Sequence, residues 1–142
     1  MKNVKAIIDA LGGLEFLGGN PIILQVPSFM PLSIEVIGRG PRGGVLISVM
    51  HWFEQNGDLM RDPDMEIEIM PESDEWLPVS FRQDSFGIIQ EAVALVDGEL
   101  QVNTKRVHEL HAFMDFWDRN IGEQGFIEAA KALVIERQKE SG

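Results

Sequence analysis

Residues 45–70 read VLISVMHWFEQNGDLMRDPDMEIEIM, and this stretch decides the fold class. In its second half, Met65, Ile67 and Ile69 alternate with acidic residues, which is the period-two pattern of a β-strand with one buried face. Its first half, residues 45–54, is apolar at both odd and even positions, which is typical of a central strand covered on both faces. The stretch therefore predicts a hairpin whose returning strand points its apolar residues inward and a row of carboxylates into solvent.

Further strands are predicted on both sides of this hairpin. Before it, apolar and polar residues alternate over residues 32–36, and residues 22–26 are compatible with a brief strand. After it come a strand at residues 77–81, where Pro78 indicates an edge or a bulge, and a tight hairpin at residues 92–102. We therefore expect an antiparallel meander of about five strands.

Helices are predicted at both ends of the chain. Apolar residues at three-and-four spacing from Val4 to Leu11 indicate a short helix, capped by Asn3, that lies on the sheet. Thr104 is predicted to cap a longer helix, and glycines separate that helix from a final one. The fold class is therefore α+β, a single domain of residues 1–142 in which two C-terminal helices pack on one face of the sheet.

Composition limits the functions open to the chain. Its 23 acidic and 12 basic residues give a formal charge of -11, which repels nucleic acid phosphates and anionic membranes. The absence of cysteine excludes disulfides, thiolate metal sites and thiol nucleophiles. Because neither a signal peptide nor a membrane-spanning run is recognisable, we expect a cytoplasmic protein with no direct nucleic acid or membrane partner.

The negative charge is concentrated in the predicted sheet. Residues 44–102 hold 13 acidic residues and two basic ones, Arg61 and Arg82, whereas the two flanks together are neutral. Such a region can serve a partner protein with a basic groove, or it can simply keep one face solvated.

The densest polar cluster runs from His51 to Asp64, over a strand end, a predicted loop of about nine residues and the start of the next strand. Binding groups concentrate in loops that are held between strands. Within this loop, Asn-Gly and Asp-Pro pairs each predict a turn. The candidate partner-binding residues are Glu54, Asn56, Asp58, Asp62, Asp64, Glu66 and Glu68.

The same cluster is a weaker candidate for a metal site or for acid–base chemistry. His51, Asp58 and Asp62 carry ligand atoms, but the glycine and the terminal glutamate of an EF-hand loop are not at the required offsets. His51 and Glu54, three residues apart on a strand, project from opposite faces and can meet only across a bulge. We therefore favour a hydrogen-bonded structural role for His51.

A second metal candidate lies on the predicted C-terminal helix. His108 and His111 are on adjacent turns, with Asp115 one further turn on, a geometry that can bind zinc or nickel. The spacing is common by chance, and no third ligand is evident elsewhere. Phosphate-binding, dinucleotide-binding and nucleophile-elbow motifs are also absent from the sequence. We therefore expect no cofactor, and we favour a non-enzymatic function over an enzymatic one.

The run HWFEQNGDLMRDPDMEIEI at residues 51–69 resembles the hallmark of a family of small domains carried by phages, plasmids and integrative elements of bacteria. In that family the run is His-Tyr/Phe-x-Glu-Gln-Asn-Gly-Asp-Leu-Met-x-Asp-Pro-x-Met, and this chain departs from it at Trp52. The segments WLPVSFRQDSFG (76–87) and FWDRNIGEQGF (116–126) are also similar, so the resemblance covers most of the chain from about residue 32. It implies a mobile-element origin but no activity, because that family has none assigned.

Three hypotheses about function follow. The first is a non-enzymatic protein-binding domain of a mobile element, an anti-CRISPR or related inhibitor of a host nuclease with a basic groove. It would act through its acidic sheet face and the predicted loop at residues 54–64. The second is a metal-binding module or metal-dependent enzyme that uses residues 51–64. The third is a structural or oligomerisation domain that associates through its C-terminal helices.

Overall fold

The computed structural model describes residues 1–141, as eight strands, three α-helices and two short 3₁₀ segments. The helices are α1 (Lys2–Ala10), α2 (Thr104–Glu123) and α3 (Phe126–Ser141), and the 3₁₀ segments are Leu14–Leu17 and Asp84–Phe86. The strands are β1 (Ile22–Leu24), β2 (Leu32–Arg39), β3 (Val45–Gln55), β4 (Asp58–Met70), β5 (Glu75–Gln83), β6 (Ile88–Glu91), β7 (Val93–Val96) and β8 (Glu99–Val102). Strands β1 to β6 pair antiparallel in sequence order and form the main sheet, while β7 and β8 form a separate hairpin.

The hairpin of β3 and β4 lies at the centre of the main sheet, as predicted. Ile47 pairs with Ile67 and Val49 pairs with Met65. Met65 and Ile67 have no exposed surface, and Ile69 is 3% exposed. Because burial of each such side chain contributes about 1.5–3 kcal/mol, these residues hold the register of the two strands.

The main sheet has six strands instead of the predicted five or so. Strand β6 is short and lacks an alternating pattern, so the sequence does not reveal it, and it pairs with β5 through residues 88–91. The predicted hairpin at the Asp97-Gly98 turn forms, and both turn residues have positive φ, as this turn type requires. It stands as its own two-stranded sheet and does not extend the main one.

The connection between β3 and β4 is much shorter than predicted. Only Asn56 and Gly57 separate the two strands, with φ values of 54° and 83° that suit a two-residue hairpin turn. Asp62 and Pro63, predicted as a second turn, lie inside β4, where a bulge places both of them opposite His51. The bulge allows a proline within the strand because it interrupts the hydrogen-bond ladder there. The peptide bond between Asp62 and Pro63 is cis.

All three helices pack on one face of the main sheet. Helix α2 lies against β5, α3 lies against β1, and α1 contacts both of the other helices. A single buried cluster joins them to the inward-facing strand residues. The opposite face, called here the outer face, stays open, since Leu46, Met50 and Trp52 of β3 are only partly buried. The prediction that this strand is covered on both faces is therefore wrong.

Helix α1 begins differently from the prediction. Asn3 does not cap it but lies in its first turn, where its backbone N–H and its amide each donate to Asp118 Oδ2 at 3.1 Å. Asp118 Oδ1 accepts from Val4 N at 2.9 Å. Gly122 permits this close approach, because a Cβ there would lie 2.7 Å from Asn3 Cγ. A buried carboxylate from another helix thus caps α1.

Helix α2 begins at Thr104 itself, and its cap lies one residue earlier than predicted. The side chain of Asn103, and not that of Thr104, accepts a hydrogen bond from Arg106 N at 3.0 Å. At 20 residues the helix is long, but it carries charged residues on most turns. In the part of the chain that the structure describes, no helix is both long and apolar enough to cross a membrane.

Candidate functional site

A row of alternating carboxylates and hydroxyls crosses five strands of the outer face. Glu35 pairs with Ser48, Ser48 with Glu66, Glu66 with Ser80, and Ser80 with Glu91. Because neighbouring strands lie about 4.8 Å apart, successive carboxylates of the row are separated by roughly 10 Å. We call these five residues the carboxylate row.

Small side chains make the outer face concave around the row. The serines between the larger side chains leave two clefts, of about 350 and 260 Å³. Arg61, Asp64 and Glu66 line both clefts. Residues three apart on a regular strand point to opposite faces. Arg61 and Asp64 point to the same face because the bulge between them adds one residue to β4.

The two arginines beside the row are already paired. Arg61 Nε lies 3.2 Å from Asp84 Oδ2, and Arg82 Nε lies 3.1 Å from Asp84 Oδ1. The backbone N–H of Arg61 also donates to Asp84 at 2.9 Å, and this bond is the main reason why the pKa of Asp84 is lowered. Within residues 1–141, the three carboxylates of the row form no ion pair.

Burial raises the pKa of two carboxyl groups on the outer face. For Asp64 the main cause is desolvation, which a 2.6 Å hydrogen bond from Ser48 Oγ only partly offsets. For Glu66 the causes are desolvation and then the charge of Asp64, against a hydrogen bond with Ser80. The ionised forms are therefore less favourable than they would be in water, and a cation placed against them would stabilise them.

Exposed aliphatic side chains accompany the carboxylates. Ile37 and Leu59 line the larger cleft and are 42% and 48% exposed, and Ile89 lines the smaller one and is 72% exposed. Met50 also lines the larger cleft and is partly buried. Exposed apolar groups rimmed by polar residues are a feature of protein interaction sites.

Glu68 does not belong to this solvent-facing set, which corrects the prediction that it faces water and binds a partner. Its side chain has no exposed surface. The loop between β2 and β3 folds over it, so that it accepts hydrogen bonds from Arg42 N at 2.9 Å, Arg42 Nε at 2.8 Å and Gly44 N at 2.8 Å. Gly40 and Gly44 are needed beside it, because a Cβ at Gly40 would overlap the Glu68 carboxylate and a Cβ at Gly44 would lie 2.6 Å from Ile69 O.

The remaining predicted partner-binding residues lie away from the row. Glu54, Asn56 and Asp58 are exposed at the end of the β3–β4 hairpin. Asp62 is partly buried and accepts a 2.6 Å hydrogen bond from Gln83 Nε2, so it supports the bulge. The structure therefore brings together only two of the predicted residues, Asp64 and Glu66, with others that the sequence analysis did not single out.

His51 is buried among aromatic rings, in the structural position expected for it. Its ring centroid lies 5.6 Å from those of Trp117 and Phe126, and its Nδ1 is 3.2 Å from Pro31 O. Desolvation is the main cause of its lowered pKa. Within residues 1–141, no three His, Cys, Asp or Glu side chains are grouped closely enough to hold a metal ion, so His51, Asp58 and Asp62 do not form a site.

The second metal candidate also lacks a complete ligand set. His111 Nδ1 lies 3.6 Å from Asp115 Oδ2, and both side chains are at least half exposed on α2. The described residues place no third ligand beside them, and His108 is not part of a metal-binding group. A zinc or nickel site needs three or four ligands in fixed geometry, so this pair does not provide one.

The carboxylate row could not be predicted from the sequence, because its members come from different strands. For Glu35 alone, the alternation of β2 in the sequence predicts a side chain that points away from the core. Glu91 lies in a strand with no recognisable pattern, and Ser48 and Ser80 are chemically unremarkable until the register aligns them. Only the pairing of the strands shows that they form one row.

Replacing Glu66 with glutamine is expected to raise the Tm at pH 7 by about 2–4 °C. The pKa of Glu66 in the folded protein is raised above its ordinary 4.5, so the associated stability is fully present below pH 4.5 and is lost as the pH rises through the folded-state value. Glutamine stays neutral throughout, so the gain should vanish near pH 4. Thermal unfolding followed by circular dichroism measures the Tm difference at pH 7 and near pH 4, with Glu54→Gln as the control for net charge. Equal Tm values at pH 7 for Glu66→Gln and wild type contradict a desolvated carboxylate.

Comparison with known proteins identifies a family. A family model described as a domain of unknown function (DUF6908) matches residues 2–127. No curated protein and no solved structure gave a significant match. The expectation that the chain is a member of a family without assigned activity is confirmed, while its mobile-element origin stays a prediction.

Proposed function

This chain belongs to the DUF6908 family of domains of unknown function, and from that premise we propose that it is a non-enzymatic protein-binding domain. Its binding surface is the outer face, with the carboxylate row at the centre and exposed aliphatic side chains beside it. The observation that carries this proposal is the row itself, in which three carboxylates lie without an ion pair in residues 1–141, although two arginines are close by.

Energetics support a binding role over a purely structural one. A carboxylate that is partly desolvated and unpaired makes the folded protein less stable than a neutral residue would. Residues that reduce stability in this way are concentrated at functional sites. Lys and Arg side chains of a partner would relieve the cost, whereas the formal charge of -11 opposes phosphates and anionic lipids.

The partner class that fits this surface is a protein with a basic groove. The nucleic-acid channel of a host defence nuclease is lined by Lys and Arg, and an array of carboxylates can take the place of phosphates there. The proposal therefore includes an anti-CRISPR or related inhibitory function, in a protein that a phage or another mobile element carries. The row at roughly 10 Å spacing and the aliphatic side chains next to it are the features that such a groove would contact.

Binding of a fluorescent oligo-arginine peptide tests the outer face directly. In the triple variant Glu35→Gln, Glu66→Gln, Glu91→Gln, we expect affinity to fall about tenfold or more, because three charge-assisted contacts are removed. The measurement is fluorescence anisotropy at physiological salt, since low salt exaggerates surface electrostatics.

A matched control separates the row from net charge. The triple variant Glu109→Gln, Glu123→Gln, Glu136→Gln makes the same chemical change at exposed positions on the helices, on the other side of the sheet. Its affinity for the peptide should stay within about twofold of wild type. Equal losses in the two triple variants would show that the peptide senses only total charge, and the outer face would then lose its role.

Inhibition of a nuclease tests the specific partner class. The wild-type protein should suppress DNA cleavage by at least one of a panel of RNA-guided nucleases, and the Glu35/Glu66/Glu91 triple variant should not. If the peptide affinity differs between the two triple variants while no nuclease is inhibited, the outer face keeps its binding role and a nuclease is rejected as the partner.

A further inference from the structure

A second concave surface lies on the other side of the molecule, where α1 meets one end of the main sheet. The cleft has a volume of about 540 Å³, within the range of small-molecule sites. Ile8 of α1 and Val45 and Ile69 of the sheet form apolar parts of its lining, and Leu14 and Trp76 extend them. It shares no lining residue with the two outer-face clefts.

The charges around this cleft are unbalanced. Four charged residues line it, and Lys5 Nζ pairs with Asp74 Oδ2 at 2.9 Å. The other two, Asp9 and Glu15, form no ion pair within residues 1–141 and are exposed. The hydrogen bond and charge of Asp74 are the main causes of the raised pKa of Lys5, and the charge of Asp9 adds a smaller contribution.

The indole ring of Trp76 also lines the cleft, and a hydrogen bond fixes its orientation. Its indole Nε1–H donates to Asp74 Oδ1 at 3.1 Å, and the same carboxylate pairs with Lys5. An indole face attracts cations through its quadrupole. On the opposite side, Gly12 and Gly13 line the cleft, and a Cβ at Gly13 would meet nothing within 4 Å, so the entrance is open there.

We propose that this cleft binds a small amphipathic organic cation. The apolar body of the ligand contacts Val45, Leu14 and Trp76, which line the cleft and are only partly buried, and its ammonium or guanidinium group lies near Asp9 and Glu15. Charge complementarity decides the class, because an anion would meet two unpaired carboxylates and a neutral ligand would leave them unused. The proposal goes beyond the protein-binding function and does not depend on it.

Titration with phenethylammonium tests the site, with phenethyl alcohol and 3-phenylpropionate as the neutral and anionic analogues. In ¹H–¹⁵N NMR spectra, saturable shifts are expected at the amides of Gly12 and Gly13 and at the Trp76 indole. The cation should bind about fivefold more tightly than the alcohol, as two exposed charge pairs allow, and the anion should bind least. Equal affinity for the cation and the alcohol, or shifts that scatter over the protein without saturation, overturns the proposal.

Two double variants assign the charge dependence. Asp9→Asn with Glu15→Gln should reduce the affinity for phenethylammonium to that for the alcohol. Asp97→Asn with Glu99→Gln, the same change on the β7–β8 hairpin, should leave the affinity unaltered. Dispersed NMR spectra of both variants confirm that they are folded. If both lower the affinity equally, total charge explains the binding and the site is rejected. Because neither variant alters the carboxylate row, the oligo-arginine result stands or fails independently.

Discussion

Replacing Glu68 with alanine is expected to lower the free energy of unfolding by about 3 kcal/mol, the lower end of the range for removing one partner of a buried ion pair. Its carboxylate, with no exposed surface, accepts from the guanidinium and backbone N–H of Arg42 and from Gly44 N. Alanine leaves Gly44 N buried without an acceptor and leaves Arg42 with Glu75 as its remaining ion-pair partner. It also opens a cavity under the loop between β2 and β3. The Tm should fall by roughly 10 °C.

The exposed Glu72 provides a matched control for this prediction. It lies in the turn that follows β4, so Glu72→Ala makes the same chemical change a few residues away and should stay within about 0.5 kcal/mol of wild type. Urea unfolding followed by tryptophan fluorescence measures all three proteins. A loss in Glu68→Ala that is no larger than in Glu72→Ala would mean that the loop does not depend on this carboxylate.

The second large effect is expected at Asp118. Its carboxylate, on a residue that is 5% exposed, accepts three hydrogen bonds from the first turn of α1. Asp118→Ala leaves the backbone N–H groups of Asn3 and Val4 without their acceptor, and of the hydrogen bonds between α1 and residue 118 it keeps only the one from Asn3 Nδ2 to the backbone oxygen. We expect a loss of about 2–4 kcal/mol, since a lost cap and buried unsatisfied donors add together.

Hydrogen exchange distinguishes this effect from a general loss of packing. In Asp118→Ala, the amides of α1 should lose protection more than those of the β3–β4 hairpin, because α1 depends on the carboxylate for its N-terminus. Asp115→Ala, one turn earlier on α2, removes an exposed carboxylate that is 3.6 Å from His111, and it should change stability by less than about 0.5 kcal/mol. Uniform loss of protection in Asp118→Ala would assign the effect to the core as a whole.

These two carboxylates show how one residue type takes opposite roles in this chain. Glu68 and Asp118 accept hydrogen bonds from backbone N–H groups and are expected to stabilise the fold, whereas Glu66 is partly desolvated without an ion pair and is expected to reduce stability at neutral pH. The alternating pattern of β4 predicts the same environment for Glu66 and Glu68, because both point to the outer face. The loop that folds over only one of them makes the difference.

Local patterns predicted much of the fold correctly. The inward set of β4 followed from its alternation, and the positive φ values of the Asn-Gly and Asp-Gly turns followed from residue type. Pro78 was read as a sign of an edge or a bulge, and β5 does carry a bulge there. Errors arose where tertiary contacts compete with local preference: Asp62 and Pro63, which favour turns, stay in a strand because its neighbours are paired on both sides of the bulge.

The sequence alone determined that the chain forms an antiparallel sheet with terminal helices, that its sheet region is acidic, and which side chains of β4 form the core. Each of these depends on neighbours along the chain, because side chains alternate between the faces of a strand. Tertiary structure alone decided that Glu68 is buried, that Asp118 caps α1, and that Glu35, Glu66 and Glu91 form one row. Burial and cross-strand register are set by segments that are distant in sequence and meet only when the protein folds.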